Sequence, residues 1–211
     1  MDLTDEALVD KFRQTKDKTL FASLVRRYQN RIYNAAYRML GNKEEAEEVV
    51  QETFINLLHN LDKFRHQSTL RAWIFRIAHN LSIDRLRAKK RRIAFTIFSF
   101  NPLSTSTKIA REEDEEKGAM PQIADSGPDP QALIDLKEQS KIVQDTLNKL
   151  PESQRAVLVL HDIEGLTYQD IADIVDASVG TVRSRLHYGR LKLKELLTPY
   201  FSSDSCTLKL R

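Results

Sequence analysis

Apolar residues near the start of the chain recur at intervals of three and four, and that spacing commits the segment to helix. Phe21, Leu24, Val25, Tyr28, Ile32, Ala35, Ala36 and Met39 fall on one helical face. Gly41 follows as a left-handed stop. Asn42 is placed to cap a second helix, with Glu45 at the capping-box position. The inward stripe of that helix is Ala46, Val49, Val50, Thr53, Phe54, Leu57, Leu58 and Leu61. Residues 62–68 read as a loop. Ser68 is placed to cap a third long helix, with Leu70, Trp73, Ile74, Ile77, Ala78 and Leu81 inward. With a short helix near residues 4–13, these elements make a first helical domain over residues 1–92.

The periodicity then fails. Residues 93–137 combine Ser and Thr, an acidic run, and Pro102, Pro121, Pro128 and Pro130. Such composition reads as a flexible linker, with the apolar residues 93–100 set to pack on a domain or a partner. Helical spacing resumes at Leu133, Leu136, Val143, Leu147 and Leu150. Pro151 opens a further helix that carries Ala156, Val157, Val159 and Leu160 and stops near Gly165. Residues 138–198 form the second domain, and residues 199–211 a polar tail that is expected to fray. The fold class is all-α: two helical domains joined by a linker.

The most specific segment is LTYQDIADIVDASVGTVRSRLHYGRLK. Thr167 begins a T-x-x-D cap with Asp170. A short helix follows with Ile171, Ala172 and Val175 inward. A tight turn near residues 176–178 leads to a second helix with Val179, Val182 and Leu186 inward. This is the pattern of a helix-turn-helix, whose second helix lies in the major groove of duplex DNA. Thr181, Arg183, Ser184, His187 and Tyr188 point away from the inner stripe, and Arg can bond guanine bidentately. Arg185, Arg190, Lys192 and Lys194 are placed for phosphates, which fix register without reading sequence.

Charge is segregated along the chain. Its 211 residues carry a net charge of only +3. Yet residues 63–92 hold ten Lys or Arg against one acid, Asp84, and acids dominate residues 111–135. Local charge therefore decides partners. In RAWIFRIAHNLSIDRLRAKKRR, Trp73 and Phe75 sit among Arg71, Arg76, Arg85 and Arg87. Aromatics beside cations suit a single strand, with bases stacked and backbone neutralised, although Trp73 also lies on the inward stripe. The preceding loop, DKFRHQST, could hold an unstacked base, with Asn80 bonding a base edge. The acidic helix EEAEEVVQETF is different. Glu44, Glu47, Glu48 and Glu52, with neutral Gln51 on the same face, would repel phosphate. They form either a solvated face or a dock for a basic protein.

Other classes find little support. There is no P-loop and no G-x-G-x-x-G. Five scattered histidines (His59, His66, His79, His161 and His187) and one cysteine give no zinc spacing. No enzyme, metal or cofactor is expected. The lone Cys206 excludes an internal disulfide framework and fits a reducing cytoplasm. No stretch approaches a membrane span, and the acidic start lacks the order of a signal peptide.

RRYQNRIYNAAYRMLGNKEEAEEVVQETFINLLHNLDKF with TLRAWIFRIAHNLSIDRLR resembles region two of bacterial sigma factors. LNKLPESQRAVLVLHDIEGLTYQDIADIVDASVGTVRSRLHYGRLKLKEL resembles region four. Two domains with no region three between them point to the extracytoplasmic-function group. The resemblance implies that Glu48, Gln51, Glu52 and Leu58 contact the β′ clamp helices of core RNA polymerase. Glu47 stands where many relatives carry an apolar residue. The resemblance also implies that Phe64, Arg65, His66, Ser68, Asn80, Arg85 and Arg87 open and read the minus-ten element, touching the melted non-template strand. By the same resemblance Thr181, Arg183, Ser184, Arg185, His187, Tyr188 and Arg190 meet the minus-thirty-five duplex, and residues 158–163 lean on the β flap. The family further implies an anti-sigma factor, often membrane-anchored, which would hold this cytoplasmic chain at the inner face of the membrane. The acids of residues 112–116 would act as a nucleic-acid mimic near the RNA exit path. A stand-alone helix-turn-helix repressor is the competing reading; such a protein binds duplex DNA without polymerase.

Overall fold

Side-chain caps start most of the helices. The computed structural model describes residues 3–64, 68–99 and 130–200. Thr4 caps α1 (Asp5–Thr15) by accepting from the Ala7 N–H, and Asp17 caps α2 (Lys18–Leu40) through Thr19. Gly41, at φ 72°, ends α2 in the left-handed region that glycine adopts without strain. Asn42 caps α3 (Lys43–Asn60) through the Glu45 N–H at 2.7 Å, as its position predicts. A 3-10 turn, Leu61–Lys63, closes α3.

The next helix departs from expectation at both ends. Thr69, not Ser68, caps α4 (Leu70–Ser99), accepting from the Ala72 N–H at 3.1 Å. The helix also runs past Arg92 to Ser99. No Gly or Pro occurs before Pro102 to stop it. At the other side of the linker, α5 (Pro130–Asn148) starts at a proline that needs no intrahelical donor there. The segment expected to be linker over residues 93–137 is therefore helical at both margins. Its acidic run, residues 112–116, lies outside the described residues, as do the tail beyond residue 200 and Cys206.

The second domain continues with α6 (Glu152–Leu158), which widens into a π turn over Val159–Ile163. Gly165, at φ 64°, reverses the chain. A full capping box at Thr167 and Asp170 starts α7 (Tyr168–Val175). Asp176 takes the left-handed conformation in the turn, and Ser178 caps α8 (Val179–Leu197). Every element among the described residues is helical.

Leu24, Ile32, Val49, Leu57, Leu70 and Ile74 bury the interior of the first domain, and Val157, Leu160, Ile171 and Val182 that of the second. The two interiors form one continuous apolar cluster, because α4 packs on α7 and α2 packs on α5. Polar links reinforce the join. Buried Gln144 donates to the Tyr37 and Arg38 carbonyls at 3.2 and 3.4 Å, adding to the Gly41 N–H that already bonds Tyr37 at the end of α2. Lys90 meets Glu152 at 2.9 Å. Arg31 grips Glu164 through Nε and Nη2, at 3.0 and 2.8 Å from one carboxylate oxygen.

Candidate nucleic-acid and partner interfaces

The acidic face of α3 is built by simple helical geometry. Ala46, Val49, Thr53, Phe54 and Leu57 turn inward, which leaves Glu44, Glu47, Glu48, Gln51 and Glu52 exposed. Ile55 and Leu58 extend that face with apolar surface, at 54% and 44% exposure. Charge and apolar area together suit a protein partner. Leu58 belongs to this outer face and not to the buried stripe. The face is not isolated from the basic helix. Arg85, on α4, donates to Glu52 at 2.8 Å and to Glu48 at 3.4 Å.

The aromatic-basic surface of α4 is smaller than the sequence suggests. Phe75 is 1% exposed and belongs to the core, not to a stacking platform. Phe64 is 6% exposed and stacks on Trp73 with centroids 5.2 Å apart. Its carbonyl, with that of Leu61, accepts from Arg13, which pins the loop to α1. Phe64 thus shapes the loop from within and presents no open ring to a base. Arg85 is tied to the two glutamates. Asn80 and Arg87 are exposed, the latter 3.6 Å from Asp84, and Ser68 is exposed at the rim of a cavity of about 720 Å³. That cavity lies between α4 and α7, with Trp73 and Arg76 on one wall and Asp170, Asp173 and Asp176 on the other. Arg65 and His66 lie outside the described residues. Beyond Arg92, Ile93 and Phe95 are exposed.

On α8, Arg183, Ser184, His187 and Tyr188 form an exposed polar face, as the sequence predicts. Thr181 is half-buried, its hydroxyl 2.9 Å from that of Ser178 at the helix start. Arg185 is half-buried as well. Arg183 lies over the Tyr168 ring, 5.4 Å from its centroid, and the same ring stacks on His161 at 4.8 Å. Arg190 differs from the rest of the face. Its Nε donates to Asp162 at 2.9 Å and its Nη2 to the second oxygen of the same carboxylate. Burial alone would raise the Asp162 carboxyl, but Arg190 and His161 outweigh it and hold it below the usual range. Arg190 therefore braces α8 on the preceding helical pair. The π turn leaves only Ile163 of residues 158–163 exposed.

Sequence reasoning missed Tyr168, Asp162, Arg31 and Glu164. Each acts through a partner far away in sequence, and no periodicity marks such pairs.

Residues 24–92 match the family Sigma-70 region 2, and residues 140–193 match Sigma-70, region 4. The chain is 36% identical over 183 residues to the ECF RNA polymerase sigma factor SigW of Bacillus subtilis, covering 86% of this chain and 90% of that one. It belongs to the ECF sigma factors. A second relative, the ECF RNA polymerase sigma-E factor of Haemophilus influenzae, is 34% identical over 197 residues, 93% of this chain and 97% of the other. Among solved structures, the sigma factor RpoE of Bartonella quintana, crystallised with the anti-sigma factor NepR, shares the fold. Its TM-score is 0.60 at 24% identity, over 84% of this chain and 96% of that chain. CnrH, in complex with the cytosolic domain of CnrY, scores 0.60 at 24% identity, over 92% and 96%. As a sigma factor the chain is no enzyme: it binds core RNA polymerase and directs promoter-specific initiation. Among the described residues no helix is long and apolar enough to cross a membrane.

Proposed function

We propose that this sigma factor divides its work among three separate faces. The exposed side of α3, with Glu48, Gln51, Glu52 and Leu58, docks on the β′ clamp helices. Asn80, Arg87, Ser68 and the neighbouring loop engage the melted minus-ten strand. Arg183, Ser184, His187 and Tyr188 read the minus-thirty-five duplex. The observation that carries the reading is the sorting of charge by helix face: α3 presents acids flanked by exposed Ile55 and Leu58, whereas α8 presents donors on a cationic face. Acids repel phosphate and suit a basic protein; Arg183 suits a base edge.

RpoE of Bartonella quintana is bound by an anti-sigma factor. We infer the same class of regulator here, one that covers these faces until a stress signal releases the chain to the polymerase in the cytoplasm. The membrane would enter through an anchored regulator. The test of function is runoff transcription with sigma-free core polymerase and a promoter library. Transcripts that depend on the chain support the reading. Specific duplex binding by the chain alone, without transcripts, would favour a repressor. Within that assay Arg183→Ala should relax one base position of the upstream element by about 1–3 kcal/mol. Unchanged promoter selection would remove Arg183 from the readers.

A further inference from the structure

The contact between the domains contains more cationic chemistry than a packing contact needs. Arg31 crosses from α2 to the carboxylate of Glu164, which is 4% exposed, and its Nη2 also donates to the Glu164 carbonyl at 3.3 Å. The Arg31 guanidinium is held over the rings of Tyr28 and Phe75, at 5.8 and 5.7 Å. Arg71 converges on the same place. Its Nη2 lies 3.8 Å from where a Cβ on Gly165 would stand, and its buried Nε has no hydrogen-bond partner. Burial, and then the charge of Arg31, lower the Arg71 guanidinium below its ordinary value. Burial raises the Glu164 carboxyl, and Arg31 and Arg71 pull it down. Two guanidinia, one with an unsatisfied buried donor, are stable side by side only around an anion.

Glu164 cannot be that anion at a promoter. The two elements lie about 25 base pairs apart, roughly 85 Å along a duplex at ~3.4 Å per pair. The helices proposed to read them belong to domains that here pack face to face. Promoter binding therefore parts the domains, takes Glu164 away, and bares Arg31 and Arg71. Arg71 sits in the first turn of α4, three residues beyond Ser68, at the end of the helix proposed to meet the melted strand.

We propose that Arg31 and Arg71 form a phosphodiester-binding site that Glu164 occupies in the closed chain, so that parting of the domains exchanges a carboxylate for a backbone phosphate of the melted strand. The planar fork of arginine fits both anions. This rests on the promoter reading above, which runoff transcription tests by itself.

The exchange is tested on the full chain with an oligo-dT strand of about twelve nucleotides. Domain separation is read from spin labels at Lys11→Cys and Lys192→Cys in a Cys206→Ser background. Glu164→Gln should part the domains and bind the strand several-fold more tightly than the wild type, because the closed population no longer competes. Adding Arg31→Ala to Glu164→Gln should abolish that gain and lower the salt slope of binding by about one. Should Glu164→Gln fail to fold, saturating oligo-dT must itself part the wild-type domains, since the two anions exclude each other. Equal affinity and slope for Glu164→Gln with and without Arg31 would overturn the site. So would a Glu164→Gln chain that stays closed with unchanged affinity, or a wild type that binds the strand while remaining closed. Failed runoff with the exchange intact would leave a nucleic-acid site and remove the promoter.

Discussion

Arg183 and Arg190 stand about two turns apart on α8, and their partners give them different roles. Arg183 is exposed and rests on the face of Tyr168, so its donors remain available to a base. Arg190 spends its donors on Asp162, whose side chain is 7% exposed. Arg190→Ala should therefore act on stability. Losing the arginine, with only His161 Nδ1 left at 2.7 Å from this largely buried carboxylate, costs roughly 1–3 kcal/mol, read as a lower urea midpoint. The salt slope for duplex DNA should hardly move. A reduced slope with an unchanged midpoint would return Arg190 to the phosphate contacts. His79 offers a second test. Burial, and secondarily Arg87, draw its pKa from 6.5 down to about 4. Between those values the unfolded chain takes up a proton that the folded chain refuses. Stability is thus complete above about pH 6.5 and falls as pH drops toward 4. From pH ~7.5 to pH ~5 the loss should be about 2 kcal/mol. His79→Gln should flatten that slope in urea titrations; an equal slope in the variant would place the titration elsewhere. The residue types at these positions were legible in the sequence, and their partners were not. Arg190 and Arg183 look alike in a helical projection, and only the position of Asp162 and Tyr168 separates them.

At the scale of elements, capping placed helix starts to within about a residue, Thr69 in place of Ser68 being the one shift, because it is local chemistry. Asn42, Thr167 and the glycine stop at Gly41 could be read directly from side-chain type and spacing. Helix ends were harder where no breaker intervened, as in α4, which continues through exposed Ile93 and Phe95. Face assignment also failed for Phe75, since a residue beside arginines in sequence can still point inward. The α3–α4 pair shows why this matters for mutagenesis. Arg85 joins Glu52 and Glu48, so reversing either glutamate sets two cations together and disturbs both helices. Leu58→Asp is the cleaner probe of the polymerase face, because Leu58 is exposed and lies outside that ionic link. It should weaken binding to core polymerase at least tenfold, which corresponds to ~1.4 kcal/mol, while leaving the thermal midpoint within a degree or two. Undiminished binding would move the docking face away from the exposed side of α3.

On the scale of the whole molecule, the order of domains was legible and their contact was not. Gln144 and the α2 carbonyls, or Arg31 and Glu164, are more than a hundred residues apart, and neither pair belongs to a repeating pattern. That contact makes chain length between the domains a functional quantity. The thirty residues between Ser99 and Pro130 can span at most ~100 Å when fully extended. This just exceeds the roughly 85 Å between promoter elements. Deleting residues 105–124 leaves ten, with a reach of ~35 Å. Such a chain can keep α3 on the polymerase and still fail to place α8 on the upstream element. Runoff transcription should then lose its dependence on the minus-thirty-five sequence, and total output should fall at least tenfold. Core binding, measured separately, should persist. Replacing the deleted residues with a Gly/Ser stretch of equal length should restore the upstream dependence, because reach alone was removed. Full activity of the shortened chain would mean that the two reading helices never need to part, and would remove the reason for Arg31 and Arg71 to exchange one anion for another.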